Sequence, residues 1–128
     1  MAQTIPIYIN VDTITAPPSP GTLADATPTA AAAITTNSGA IASGLVWGVH
    51  GELSSTAGTV TVSVYNDISG TRELYSVTLD FGGGVTQSSD MMTSGIPVFE
   101  APYFTATGDA TSAGKTIDLT FYVSAMTY

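Results

Sequence analysis

The chain has 128 residues, of which 44% are hydrophobic and only 9% are charged, so hydroxyl groups supply most of its polarity. This length is typical of one domain around one core, and the net charge of -8 disfavours nucleic acid and anionic lipid as partners. Cysteine is absent, which excludes disulfides, thiolate nucleophiles and zinc sites that contain cysteine.

The N-terminal segment TIPIYINV, residues 4–11, alternates apolar and polar side chains as a β-strand does. Pro6 cannot donate a backbone hydrogen bond, which predicts an edge strand, and an apolar edge can pair with another chain. The segment has no basic region of a secretory signal, which predicts a protein made in a cytoplasm. The candidate contacts with another subunit are Ile5, Ile7, Tyr8, Ile9 and Val11.

Residues 12–33 contain four of the seven prolines and a run of alanines, without a sustained strand pattern. We interpret them as a long arm, with one helical turn at residues 30–33. A flexible loop and an arm that docks on a neighbour both remain open. The predicted organisation is therefore an N-terminal strand and arm over residues 1–33 and a β-sandwich over residues 34–128, in a single domain.

Four later segments alternate with the period of a strand: 45–53, 59–64, 75–81 and 116–125. The turn residues NDISGT between the second and third predict a hairpin, and the glycines of GLVWGVHGEL indicate a bulge or a close approach of another backbone. We interpret the polar stretch VTQSSDMMTSG as a connection that leads to short runs at IPVF and PYFTATG. The pattern predicts an all-β antiparallel β-sandwich of jelly-roll-like type.

Catalytic side chains are scarce. His50 is the only histidine, and its place in a glycine-flanked strand favours a surface or hydrogen-bonded structural role. A glycosidase would need paired carboxylates, for which Glu52, Glu73 and Glu100 are candidates, but the alternation places Glu52 on a solvated face. No GxSxG elbow is present. We expect no enzyme and no catalytic residue.

Two acidic loops, at 66–70 and 108–114, have a composition that calcium accepts, but neither has the spacing of an EF-hand. Ordinary turns in which an Asp side chain bonds the following backbone explain both loops better, so we expect no metal and no cofactor. Trp47 and the tyrosines could stack on a sugar. The alternation instead favours Trp47 and Tyr75 as core residues, with Tyr65 and Tyr122 on the other face.

Residues 58–123 contain a VSVYNDISGT run, then GIPVF, then a closing strand after TSAG. This arrangement resembles small virion proteins of tailed bacteriophages, of the capsid decoration or cement type. The resemblance implies a β-sandwich, commonly a homotrimer, that binds the major capsid protein on the virion surface and has no enzymatic site. On this hypothesis, residues 4–11 or the arm would contact the capsid, without nucleic acid or membrane as a partner.

A second hypothesis is a carbohydrate-binding or receptor-binding module, such as a phage fibre tip or an adhesin domain. It predicts exposed aromatic residues clustered at one end of the sandwich.

Overall fold

The computed structural model describes residues 7–16, 22–36, 39–40, 44–98 and 102–126. Those residues form β-strands and loops, and the fold is all-β, as predicted. No helix in the described part of the chain is long and apolar enough to cross a membrane. The strands are β1 (Ile7–Ala16), β2 (Ala32–Ala33), β3 (Thr35–Thr36), β4 (Gly39–Ala40), β5 (Gly44–Leu53), β6 (Thr59–Tyr65), β7 (Glu73–Asp80), β8 (Gln87–Val98), β9 (Tyr103–Gly108) and β10 (Ile117–Met126).

The strands build two antiparallel four-stranded sheets, which confirms the β-sandwich. Sheet 1 has the order β1-β10-β5-β8, and sheet 2 has the order β2-β9-β6-β7. Strands β3 and β4 form a separate small hairpin. The first and last long strands are therefore neighbours in sheet 1, which ties the two ends of the described chain together.

The core lies between the two sheets and consists of aliphatic and phenylalanine side chains. Val60, Val62 and Val64 of β6 have no exposed surface, as their alternation predicts. Phe104 of sheet 2 packs on Phe121 of sheet 1, with ring centroids 5.1 Å apart and ring planes tilted by 49°. Alternation in β6 and β10 therefore identifies residues that join the sheets.

The predicted hairpin of β6 and β7 is confirmed, in register from Thr59 opposite Asp80 to Val64 opposite Tyr75. On its outer face, hydroxyl groups pair across the strands, Thr61 with Thr78 and Ser63 with Ser76, at 3.0 Å each. These pairs supply polarity without charge on the outer face of sheet 2.

Strand β8 corrects the interpretation of VTQSSDMMTSG as a connection, because residues 87–94 belong to this strand. In sheet 1, β8 is an edge strand, and β5 is its one partner among the strands that the structure describes. Such a strand buries little surface, so it can be polar without losing stability. The register jumps from Met91 opposite Gly48 to Ile96 opposite Val46, so the intervening residues 92–95 bulge from the ladder.

Strand β1 lies at the other edge of sheet 1, as the N-terminal pattern predicts. It pairs with β10 from Ile7 opposite Met126 to Ala16 opposite Ile117, so residues 12–16 continue the strand and are not arm. The candidate contacts Ile7, Tyr8, Ile9 and Val11 lie in β1. Ile5 lies outside the described residues.

Residues 22–36, which include the second half of the predicted arm, run along sheet 2. The Ile34 amide donates to the Pro102 carbonyl at 2.9 Å, and the Gly114 amide donates to the Leu23 carbonyl at 2.8 Å. Leu23 and Ile34 are buried in the core. The predicted helical turn at 30–33 is wrong, because residues 32–33 form β2 and pair with β9. Backbone pairing to β9 therefore decides the conformation of the alanine run.

Candidate functional site on the outer face of sheet 1

A β-bulge in β5 decides which side chains reach the outer face of sheet 1. Val123 lies opposite Val46 and Tyr122 opposite Gly48, so Trp47 is the extra residue of the bulge. Val46 and Val49 both have no exposed surface, so both face the core. Trp47 and Gly48, between them, therefore both lie on the outer face.

The bulge predicted from the glycines is confirmed, whereas the prediction that Trp47 fills the core is wrong. Simple alternation would place Trp47 on the same face as Val49, which is the core face. The extra residue of the bulge shifts the pattern by one position, so the indole lies on the outer face instead. Trp47 is half-buried at this outer position.

Two glycines make room for the large side chains on this face. A Cβ at Gly95 would meet indole atoms Cε2 and Cδ2 of Trp47 at 3.2 and 3.3 Å. These are the two atoms shared by both rings, so the middle of the indole lies over Gly95 and the ring is flat on the sheet. A Cβ at Gly48 would lie 2.3 Å from the Asp90 carbonyl oxygen and 2.7 Å from Met91 Sδ.

Further along the strands the same face becomes polar and then acidic. The register gives three outer rows across β10, β5 and β8, which are Tyr122–Gly48–Met91, Thr120–His50–Ser89 and Asp118–Glu52–Gln87. Met91 is 55% exposed, while Tyr122 and His50 are half-buried. Glu52 and Asp118 are exposed, so Glu52 lies on a solvated face as predicted. This face therefore runs from an aromatic and apolar end to an acidic end.

The other candidate residues do not join this face. Glu73 begins β7 in sheet 2, so the structure does not bring it to Glu52, and Glu100 lies outside the described residues. Tyr65 and Tyr103 are opposite each other in sheet 2. The tyrosines are thus divided between two sheets.

Tyr75 packs against the core, as predicted, and its hydroxyl donates to the Asp90 carboxylate. Burial first, and then the hydrogen bond to Asp90, raise the pKa of Tyr75 above its ordinary value. Because Tyr75 is on β7 and Asp90 on β8, this bond joins the edge strands of the two sheets. The sequence pattern does not indicate a role for Asp90, because the polar stretch VTQSSDMMTSG lacks the alternation of a strand.

The loop at 66–70 uses its carboxylate for turn formation. Asp67 Oδ1 accepts hydrogen bonds from the Thr71 amide at 3.1 Å and the Arg72 amide at 2.9 Å, and Oδ2 accepts from the Ser69 and Thr71 hydroxyls. The Ser69 hydroxyl, followed by Thr71 and Arg72, holds the pKa of Asp67 below its ordinary value. This is the expected turn chemistry.

The loop at 108–114 has a wider network. Asp109 Oδ1 accepts from the Ser112 amide at 2.8 Å, and Oδ2 accepts from the Thr59 amide and hydroxyl at 3.1 Å each. The Ser112 amide first, and then the Thr59 and Ser112 bonds, lower the pKa of Asp109. Ser112 is fully buried and donates its hydroxyl to the Thr59 carbonyl at 2.8 Å. The partner Thr59 lies 50 residues away, so only the local turn was visible in the sequence.

Both loop carboxylates are thus occupied by their own protein. Nowhere in the described residues do three His, Asp or Glu side chains group closely enough to hold a metal ion. Comparisons of the chain with family models, with curated proteins and with solved structures found no match.

Proposed function

We propose that this protein is a structural component of a tailed-phage virion, a decoration protein that binds and stabilises the lattice of the major capsid protein. One observation carries the proposal. Strand β1 occupies the edge of sheet 1 for ten residues and pairs only with β10 among the strands that the structure describes. Such an edge can add a strand from a neighbouring chain.

The strand order supports a jelly-roll-like assignment. Strands β1, β5, β8 and β10 make one sheet, while β2, β6, β7 and β9 make the other, and the first and last strands are neighbours. Eight strands in two such sheets characterise jelly rolls, which occur in viral capsid proteins and in lectins. Since one fold hosts many functions, β1 rather than the topology carries the proposal.

Strand addition at β1 supplies backbone hydrogen bonds without requiring charge. With a net charge of -8 on the chain, the capsid surface beneath it would be neutral or basic. A ligand that binds only the assembled lattice stabilises it by RT ln(1 + [L]/Kd) at each site, and the effect multiplies over the shell. Residues 22–36 bind to sheet 2, so β1 is a better candidate contact than this part of the arm.

The test uses capsids from a phage that lacks the gene for this chain, mixed with purified protein and analysed by co-sedimentation. A deletion of residues 1–11 would also remove part of the pairing between β1 and β10. Two separate single variants, Thr13→Pro and Ile14→Pro, therefore test the outward edge of β1 more specifically. Neighbouring amides of an antiparallel strand point in opposite directions, so one proline removes a bond to β10 and the other an outward donor.

We expect the proline that preserves the melting temperature to abolish capsid binding. Wild-type binding by that variant would contradict strand addition at β1. Absence of wild-type protein from the capsid pellet would overturn the proposed function itself.

A further inference from the structure

We propose that the outer face of sheet 1 binds a neutral oligosaccharide, with Trp47 as its stacking platform. This function goes beyond capsid decoration and does not depend on it. The face is defined by Trp47, Tyr122, Met91, His50, Glu52 and Asp118.

The indole of Trp47 has the placement that stacking on a sugar requires. It lies flat above Gly95, so the sheet supports one side of the ring, and the side chain is only half-buried. The C–H groups on one face of a pyranose are apolar and weakly positive, which complements the negative face of an aromatic ring. Because the β5 backbone and Gly95 fix the ring, binding costs little side-chain entropy.

Polar groups follow the platform along the strands in the order that an extended sugar chain would meet them. His50 lies in the next row, and Glu52 and Asp118 lie opposite each other in the row after it. Exposed carboxylates accept strong hydrogen bonds from sugar hydroxyls. Trp47 and Glu52 are five residues apart, or roughly 17 Å at the rise of a β-strand. The ligand is therefore an oligosaccharide that extends along β5.

Charge selects a neutral ligand over the alternatives. The described residues of this face include Glu52 and Asp118 but neither of the chain's two cations, since Arg72 and Lys115 lie in loops outside β5, β8 and β10. Sialylated or sulfated glycans would therefore be repelled by the carboxylates of Glu52 and Asp118.

The experiment exploits the single tryptophan of the chain, whose fluorescence reports on Trp47 alone. The full chain is titrated with soluble glucan, xylan, mannan and chitin oligosaccharides, and is applied to an array of neutral, sialylated and sulfated glycans. We expect saturable quenching or a shift of the emission with at least one neutral series, and array binding to neutral glycans of the same type. Unchanged emission together with an empty array would overturn the proposal, as would binding to anionic glycans alone.

Variants then locate the site by calorimetry. Trp47→Ala should lower affinity by about tenfold or more, as loss of one stacking contact does, while Trp47→Phe should retain part of it. Glu52→Gln combined with Asp118→Asn should weaken binding as well. Thr78→Ala, on the outer face of sheet 2, is the control and should bind as wild type. Full affinity in a folded Trp47→Ala variant would refute the site.

Capsid co-sedimentation of Trp47→Ala separates this inference from the proposed function, because β1 is intact in the variant. We expect capsid binding to be unchanged. Loss of capsid binding, without any sugar binding by the wild type, would make this face a protein contact and overturn the inference.

Discussion

The carboxylate of Asp109 joins two segments that are far apart in the sequence. It accepts hydrogen bonds from Thr59, at the start of β6, and from Thr111 and Ser112 in its own loop. The Ser112 hydroxyl in turn donates a hydrogen bond to the Thr59 carbonyl. A side chain that could have served a calcium site therefore fixes the loop between β9 and β10 against β6.

Replacement of Asp109 by alanine should lower the free energy of unfolding by about 2 kcal/mol, because the amides of Thr59 and Ser112 lose a charged acceptor. Urea denaturation followed by circular dichroism measures the change. Asp80→Ala is the matched control, since Asp80 accepts a local bond from the Gly82 amide, and it should cost much less. Equal losses in the two variants would show that the network adds no more stability than one local hydrogen bond does.

Acid should destabilise the protein through Asp109 and Asp67. The pKa values of both are lowered in the folded state, whereas an unfolded Asp titrates near about 3.9. The unfolded state then binds more protons in acid, so this stabilisation is present above about pH 4 and is lost as the pH falls through the folded pKa. The melting temperature should be measured from about pH 6 to about pH 3, a range that includes the pKa of an unfolded Asp. Over this range it should fall less in the Asp67→Asn, Asp109→Asn double variant than in the wild type. An equally steep fall in that variant would contradict this origin.

At the scale of the element, the bulge in β5 places side chains that alternation alone would misplace. It directs Trp47 and Gly48 to one face, while Val46 and Val49 both reach the core. Strand β8 adapts with its own bulge of residues 92–95. These two irregularities create the outer surface of sheet 1.

Gly48→Ala tests this packing. A Cβ there would lie 2.3 Å from the Asp90 carbonyl oxygen, and backbone cannot move aside cheaply, so we expect a loss of about 1–3 kcal/mol in unfolding free energy. Gly83→Ala is the control, because a Cβ there meets nothing within 4 Å. Thermal and urea denaturation compare the two variants. A Gly48→Ala protein as stable as Gly83→Ala would mean that β8 is not packed closely on β5.

At the scale of the whole molecule, the proposed decoration function predicts a closed homotrimer. Three chains of 13.0 kDa give a mass of about 39 kDa, which light scattering coupled to size exclusion measures directly. Arg72 and Lys115 are the only cations, so trimer contacts would rely on backbone pairing and apolar surface, and the mass should persist in high salt. A monomeric mass at every concentration would contradict the trimer in solution. It would mean that copies of the chain come together only on the capsid surface.

Period-2 alternation by itself determined the all-β class, the β6–β7 hairpin and the inward residues of β6 and β10. Alternation succeeded because those strands bury one face, so apolar side chains indicate the core side of the sheet and polar side chains indicate the solvent side. The turn chemistry of Asp67 was also predicted, since its partners Ser69, Thr71 and Arg72 are close in the sequence.

Only the tertiary structure decided the roles of β8, Trp47 and Asp109. Strand β8 is a polar edge strand, so it leaves little hydrophobic periodicity in the sequence. The extra residue at Trp47 shifts the side-chain pattern, and its exact position depends on pairing with β8 and β10. Thr59 reaches Asp109 across 50 residues. Local patterns record which face a side chain takes, whereas these contacts depend on which distant strands become neighbours.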